Sequence, residues 1–520
     1  MTTDLPYLDF GSELGITNSG NAIEFGRSSV VGRLNYGYKN KYFLEGSFRY
    51  DATSNFAADS RWGFFPSASA AWRISEESFI KDNATFVDNL KLRVSYSKTG
   101  NDRIFKDDGT PDYFRYLSAN EIQTGVLSSY LFRPTGLSTA IATSGLANPF
   151  VTWRDLTTYN IGLDASFWNG LLGLELDVFY RLQEGIFATP LDQFPSTFGA
   201  ELPQVNQNST NNRGFDLVVT HRNTIGKKFK YDMGFSFGLA REKYKNWPVE
   251  EVIEAFAESP EELNDPEFIN RFNLTQQRNG NWVNRNIGYR TDGIFMNQAE
   301  IDAHTVDQSL LAGGTGNDRL NPGDIRYVDL NGDDKIDFRD LDEIGKGGLP
   351  DIVYGLNMNM SYGNFSISTL FQGATGFNFN ITGGARNILI NNSIPFEYQY
   401  DYRWAPDPNN PDVNINPNAI LPASTDSGLT QNNDKTSDFW LQDGTYLRLK
   451  NLNIGYDIPR DVLNKMGMQQ LRLFVSASNL VTWNKLGIYK DSFDSEGPTT
   501  QNGARYPLLK TISLGVNISL

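Results

Sequence analysis

Residues 511–520 read Thr511-Ile512-Ser513-Leu514-Gly515-Val516-Asn517-Ile518-Ser519-Leu520. Ile512, Leu514, Val516, Ile518 and Leu520 fall on one face of an extended chain, with Thr511, Ser513, Gly515, Asn517 and Ser519 on the other. That two-residue period is the signature of a strand. Residues 229–240 repeat it, with Tyr231, Met233, Phe235, Phe237 and Leu239 against Asp232, Gly234, Ser236 and Gly238. Residues 89–98 set Leu90, Leu92, Val94 and Tyr96 against Lys91, Arg93, Ser95 and Ser97. Further segments of the same kind lie near 28–38, 41–51, 64–74, 156–168, 171–182, 212–221, 351–362, 365–373, 444–456 and 470–480. Each is near the roughly 9–11 residues that a tilted membrane strand needs. A soluble sandwich alternates too, so the period leaves both architectures open.

The links between strands discriminate better. Lys39-Asn40, Asn169-Gly170 and Gly363-Asn364 read as tight hairpin turns, and 75–88, 222–228 and 457–469 are compact. Between them come the longer links 52–63, 99–155, 183–211, 242–350, 374–443 and 481–508. A meander with short turns at one end and long loops at the other is the arrangement of outer-membrane barrels, the turns being periplasmic. Aromatics near strand ends (Tyr36, Tyr50, Trp72, Tyr96, Trp168, Tyr180, Tyr354, Tyr362 and Phe365) would supply interfacial girdles, or ordinary strand packing.

Composition narrows the function classes. The 520 residues carry 61 Asp and Glu against 46 Lys and Arg, a net charge of −15, and no Cys. Without Cys there is no disulfide scaffold, thiolate zinc site or thiol nucleophile. An acidic balance argues against nucleic acid, whose phosphates need clustered Lys and Arg. No apolar run approaches the roughly 20 residues of a membrane helix. Aromatics at 13% with 47 Gly suit a transmembrane barrel, where only alternate residues face lipid. The opening MTTDLPYLDF does not read as a signal peptide, because an acid stands where a basic flank and an apolar run belong.

The expected fold class is therefore all-β, an antiparallel transmembrane β-barrel with long extracellular loops. About thirteen strands is an odd number, whereas single-chain bacterial barrels have even numbers, and a lipid-exposed edge is not tolerated. The chain thus reads as the C-terminal part of something larger. Residues 1–27 are expected to be an extracellular loop or the end of an earlier strand, and 28–520 the barrel portion.

Several segments resemble one family. Tyr42-Phe-Leu-Glu-Gly-Ser-Phe-Arg-Tyr-Asp51, Arg61-Trp-Gly-Phe-Phe-Pro-Ser-Ala-Ser-Ala-Ala-Trp-Arg73, Leu90-Lys-Leu-Arg-Val-Ser-Tyr96 and Thr99-Gly-Asn-Asp102 are similar to SusC/RagA-type TonB-dependent outer-membrane transporters. So are Asp329-Leu-Asn-Gly-Asp-Asp-Lys-Ile-Asp337, Gly348-Leu-Pro-Asp-Ile-Val-Tyr-Gly355, Asp443-Gly-Thr-Tyr-Leu-Arg-Leu-Lys-Asn451, Ser478-Asn-Leu480 and the terminal Tyr506-Pro507 with its following strand. Leu520 departs from the aromatic usual at such barrel ends. The resemblance implies a barrel of about 22 strands, a plug and a TonB-contacting segment upstream, and a bacterial outer-membrane location. It also implies import of large nutrients, glycan or peptide oligomers, under a SusD-like surface lipoprotein. The alternative is a secreted or surface β-rich carbohydrate-binding protein or adhesin.

Asp329-Leu-Asn-Gly-Asp-Asp-Lys-Ile-Asp-Phe-Arg-Asp340 also resembles a twelve-residue calcium loop. Asp329, Asn331 and Asp333 fall on positions one, three and five. Lys335 would offer its carbonyl at seven, Asp337 a water-mediated contact at nine, and Asp340 closes at twelve. Asp334 stands at position six where Gly normally makes the sharp turn, and Asp340 is shorter than the usual Glu. The other reading is a metal-free, Asx-rich turn. No cofactor is otherwise required; Ca2+ would be structural.

No enzyme is expected. Gly234-Phe-Ser-Phe-Gly238 matches the nucleophile-elbow pattern, but Ser236 lies mid-strand, not at a strand–turn–helix junction. His221 is expected in a periplasmic turn, too far in sequence from His304 to form a local pair. Residues 249–264 are acidic, and Ser259-Pro260-Glu261-Glu262 reads as a helix start. Trp247, Trp282 and Trp404 are expected to pack loops together, and 403–412 to be an irregular, Pro-rich surface loop.

Overall fold

The computed structural model describes residues 24–519 apart from 106–108, 118–119, 124–139, 144–145, 190–202, 249–255, 258, 389–393, 425–429, 498–499, 502–505 and 507. Thirteen strands pair into one antiparallel sheet in strict chain order. They are β1 (Arg27–Tyr38), β2 (Tyr42–Thr53), β3 (Trp62–Arg73), β4 (Val87–Asn101), β5 (Arg154–Phe167), β6 (Leu172–Ala188) and β7 (Val205–Ile225). They continue with β8 (Phe229–Asn246), β9 (Ile352–Tyr362), β10 (Phe365–Thr375), β11 (Tyr446–Asp457), β12 (Gln470–Asn484) and β13 (Thr511–Ser519). Each segment expected from two-residue alternation is one of these strands. The outermost strands, β1 and β13, do not pair with each other.

Register keeps the apolar residues on one face across the sheet. One row of directly paired residues runs Tyr36, Leu44, Ala70, Val94, Ile161, Val178, Phe215, Leu239 and Ile352. Another runs Met360, Ile367, Ile454, Val475 and Leu514. The opposite face carries Asn35, Glu45, Ser69, Ser95 and Asn160 in one such row. Leu34, Val178 and Leu514 are 75%, 50% and 82% exposed. A continuous apolar wall this large is a lipid-facing surface, because water would not tolerate it on a monomer. Aromatics border it at both ends. Tyr42 and Trp72 are paired near the short-turn end, and Tyr96, Tyr159 and Tyr180 make one row at the long-loop end.

Turn chemistry sets the short end. Lys39 and Asn40 both take left-handed backbone, at φ 50° and 55°, the primed-turn geometry that matches strand twist. Asn169 and Gly170 do the same, at φ 57° and 76°. The Gly214 backbone lies so close to β8 that a Cβ there would stand 1.8 Å from the Leu239 carbonyl oxygen. Strands β6, β7 and β8 run 17, 21 and 18 residues, beyond what the bilayer needs, so their far ends stand clear of it.

The long links fold into a body of their own. Ile325, Tyr327, Phe379, Ile381, Trp404, Trp440, Leu486 and Tyr489 belong to one buried cluster drawn from the three links after β8, β10 and β12. A second, smaller cluster joins Phe56, Phe65, Ile104, Val151 and Trp153. Loops of this length are ordered here because they bury a hydrophobic core, which an irregular surface excursion cannot do.

Several expectations are corrected. The helix spans Pro266–Thr275, with Asp265 as N-cap accepting from Glu267 N and Pro266 at its first turn; Glu261 and Glu262 precede it in a turn and a single 3-10 turn. Residues 249–255 and 258 of the acidic stretch lie outside the described residues, as do 1–23, Pro507 and Leu520. His221 is inside β7, paired with Met233 and stacked on Tyr231 at 5.5 Å, because β7 continues to Ile225. Residues 406–407 and 410–414 form a small hairpin within the Pro-rich segment. Loop length does not mark the two ends throughout, since the 54–61 link is shorter than the 74–86 link at the opposite end.

Candidate functional site

The polar face is held by ion pairs between neighbouring strands. Arg93 on β4 meets Asp164 on β5 at 2.7 Å and Asp177 on β6 at 3.0 Å. Gly162 makes room for that fork: a Cβ there would be 2.6 Å from the guanidinium carbon. Arg33 pairs with Glu45 at 2.7 Å; Lys98 and Asp155, paired at 2.6 Å, lie instead on the apolar side, just beyond Tyr96 and Tyr159. Toward the short-turn end the polar face has a recess of about 780 Å³, with Lys230, Asp232, Asn359, Asn453 and Arg472 among its lining residues. Chemically it is a hydrated, charge-compensated wall, suited to line a passage or to receive another polar body.

At the other end a buried polar network fixes the loops. Asn433 Nδ2 donates to Asp324 Oδ1 at 2.8 Å, and its Oδ1 accepts from Ile325 N at 2.7 Å. Gln308 Oε1 accepts from Tyr327 N at 2.8 Å, and the Tyr327 hydroxyl donates to Asn432 O at 2.6 Å. Burial raises the Asp324 carboxyl above its ordinary value, against these donors. Such a satisfied network rigidifies the core it sits in. Nothing local in Thr430-Gln-Asn-Asn-Asp434 signals it, because its partners are about a hundred residues away.

The tryptophans divide. Trp404 is buried and donates Nε1–H to Met296 O at 3.1 Å, and Trp247 meets Tyr244 edge-on at 4.9 Å; both pack loops. Trp282 instead lies beneath the Arg241 guanidinium at 3.7 Å. Ser236 pairs with Val218 and Gly355 within the sheet, and His304 packs edge-on against Phe295 at 5.0 Å.

Residues 329–340 close on themselves. Asp329 Oδ1 accepts from Gly332 N at 2.6 Å and Oδ2 from Asp334 N at 2.8 Å. Asn331 Oδ1 accepts from Asp333 N at 3.3 Å, and Asp333 Oδ1 from Lys335 N at 3.0 Å. Asp337 accepts from Arg339 N and Nη1 at 2.7 and 2.8 Å, and Asp340 from Leu330 N and Asp337 N, both at 2.8 Å. Burial, with Asp337 and Asp329 nearby, pushes the Asp340 carboxyl up to about 6. Among the described residues no three acidic or histidine side chains gather as a metal-holding group. As they stand these side chains fit the Asx-rich turn rather than a ready cation cage. Asp334 nevertheless takes φ 60°, the conformation that position six demands.

No family model matches the chain. It is 27% identical over 505 residues to the TonB-dependent receptor P26 of Formosa agariphila, covering 95% of this chain and 46% of that receptor. It is 26% identical over 437 residues to the TonB-dependent receptor SusC of Bacteroides thetaiotaomicron, covering 82% of this chain and 37% of SusC. Among solved structures, the RagAB peptide transporter aligns with 98% of this chain and 50% of its own at TM-score 0.65 and 18% identity. The chain thus spans about half the length, or less, of the relatives it matches. The in-order sheet, its apolar wall and the aligned structure show the fold, an antiparallel β-barrel sheet of the outer-membrane type. Within that class the chain is similar to the SusC/RagA-type TonB-dependent receptors.

Proposed function

We propose that this chain supplies barrel wall and extracellular loops, as the C-terminal barrel portion of an importer of large nutrients, glycan or peptide oligomers. A SusD-like surface lipoprotein would cap it, and TonB would act through a region outside residues 1–520. The observation that carries this reading is the in-order sheet of thirteen strands with one apolar and one ionic face, joined at one end to loops with a packed core. The same exposed apolar wall weighs against a secreted carbohydrate-binding protein or adhesin. The test is uptake of labelled oligosaccharides and oligopeptides by cells with and without the full-length receptor. Loss of uptake of one oligomer class, with monomers unaffected, is expected, and the same loss on removing TonB. A full-length product soluble without detergent and absent from outer-membrane fractions would overturn the reading.

A second reading concerns 329–340, which we propose exchanges its metal-free turn for a calcium-bound loop. The left-handed Asp334 and the buried Asp340 support it. Asp329, Asn331, Asp333, the Lys335 carbonyl, Asp337 and Asp340 would be the ligands, neutralising crowded acids ahead of β9. Calcium titration of the full-length protein should raise its melting temperature, and Asp329→Ala with Asp333→Ala should abolish the rise. An identical calcium response in that double variant would leave only the solvated turn.

A further inference from the structure

The extracellular aromatic row changes character in mid-sheet. Along directly paired residues it runs Tyr96, Tyr159, Tyr180, then Arg213 on β7 and Arg241 on β8. These cations share the lipid-facing side with Phe215 and Leu239, paired one step nearer the bilayer. Two residues beyond Arg241 on the same side stands Lys243, bridged to Trp282. Residues 281–283 continue the sheet beside β8, with Val283 N donating to Glu242 O at 2.9 Å and Tyr244 N to Asn281 O at 3.0 Å. The Trp282 ring is thereby laid against three cations: Arg241 at 3.7 Å, Arg213 at 5.0 Å and Lys243 at 5.4 Å.

The charge there is only partly compensated. Arg241 meets Asp351 at 3.3 Å, which Lys346 approaches at 3.8 Å, and further out Lys245 meets Glu184 at 3.2 Å. Among the described residues no carboxylate pairs with Arg213, which is exposed, or with Lys243. Holding like charges around one ring is unfavourable, and the ring face offsets it only in part. An anion bridging Arg213 and Lys243 would complete the arrangement.

We propose that Arg213, Lys243 and Arg241, set around Trp282, form an outer-wall docking site for the phosphorylated headgroup of an outer-leaflet lipid. A lipid is the occupant, and not free phosphate, because the cations stand directly over Val178, Phe215 and Leu239, an apolar surface for acyl chains. Headgroup height, guanidinium forks and an apolar track below are together the chemistry of anionic-lipid recognition. The proposal assumes the outer-membrane setting with the long loops outside, and it is independent of what the receptor imports.

The test uses the full-length receptor in nanodiscs, with phosphorylated and dephosphorylated lipid A added and bound lipid counted by native mass spectrometry. The native protein should retain phosphorylated lipid, and Arg213→Gln with Lys243→Gln should weaken retention by about fivefold per cation removed. Arg213→Lys with Lys243→Arg should retain it. Dephosphorylated lipid should not be retained, and inorganic phosphate in the millimolar range should not displace the lipid. Equal retention by the neutralised variant, or of the dephosphorylated lipid by the native protein, would overturn the proposal. Displacement by inorganic phosphate alone would mark a free-anion site and overturn it as well. If the neutralised variant loses heat-modifiable gel migration, the comparison of the two lipids on the native protein decides.

Discussion

Arg448 on β11 reaches out of the sheet to Asp494 in the following long loop, Nη2 standing 2.7 Å from the carboxylate. Its Nη1 lies 3.0 Å from Glu496, and its Nε donates to Thr482 on β12 at 2.7 Å. The Arg448 side chain is 4% exposed and those of Asp494 and Glu496 are 11% and 13%. One guanidinium thus ties two strands to the loop body above them. Without it the largely buried Asp494 would lose its cation, while Glu496 would keep its pair with Lys450.

Arg448→Ala should therefore cost about 3–5 kcal/mol locally, the range for removing one partner of a buried ion pair. Hydrogen exchange across 485–497 should accelerate while exchange in β7 and β8 stays slow. Unchanged exchange in that loop would show that its hydrophobic core alone holds it.

Gly214→Ala tests the tightest approach between strands. Its Cβ would meet a backbone carbonyl, Leu239 O, which cannot move aside as a side chain does. We expect at least the 1–3 kcal/mol cost of overpacking, about the upper end, seen as lost heat-modifiable migration and low outer-membrane yield. Gly46→Ala is the control, since nothing lies within 4 Å of a Cβ there, and it should assemble normally.

Glu77 gives a pH signature at the short-turn end. Its carboxylate accepts from the Tyr42 hydroxyl at 2.6 Å, Lys41 Nζ at 2.9 Å and Trp72 Nε1 at 3.1 Å. Those donors hold its pKa down to about 2, below the roughly 4.3 of a free Glu. A depressed folded-state value means the stabilisation is fully present above the unfolded pKa and is lost as pH falls through the folded one. The melting temperature of Glu77→Gln should lie below that of the native protein by a constant margin from about pH 5 to 8. That margin should close as pH drops from about 4 toward 2. A gap independent of pH would assign the loss to shape and not to charge.

The strands were legible because membrane strands encode their two solvents in alternate residues, a local signal that Phe235, Ser236 and Phe237 display within three positions. The body built by the loops was not legible. Asn433 and Trp440 reach Ile325 and its buried cluster only after some hundred residues of intervening chain fold back, and no periodicity marks them. The helix at 266–275 shows a middle case. Ser259-Pro260 and Asp265-Pro266 are both plausible starts, but only the second is followed by Phe268 and Phe272 at helical spacing, both buried. Arg213 and Arg241 were visible as charges, yet their placement on the lipid side depends on how far β7 and β8 extend. In the metal-loop segment, spacing put the right residue types in order, while the direction each carboxylate turns is set by backbone N–H groups that spacing does not reveal.

The assignment of faces itself can be tested at neighbouring residues of one strand. Leu217 is paired with Leu176 and Phe237, all on the apolar side, midway along its strand between Arg213 and His221. Asp216 points to the polar side, paired with Asp177 and Gly238. If the apolar side faces lipid, Leu217→Arg should cost about 2–4 kcal/mol, as cations do near the bilayer midplane. Asp216→Arg places the same charge in the hydrated interior beside Asp177 and should fold with little loss. Detergent-to-bilayer refolding titrations on the full-length receptor would read both. Equal penalties, or the larger one at Asp216, would mean that the wall has been turned inside out.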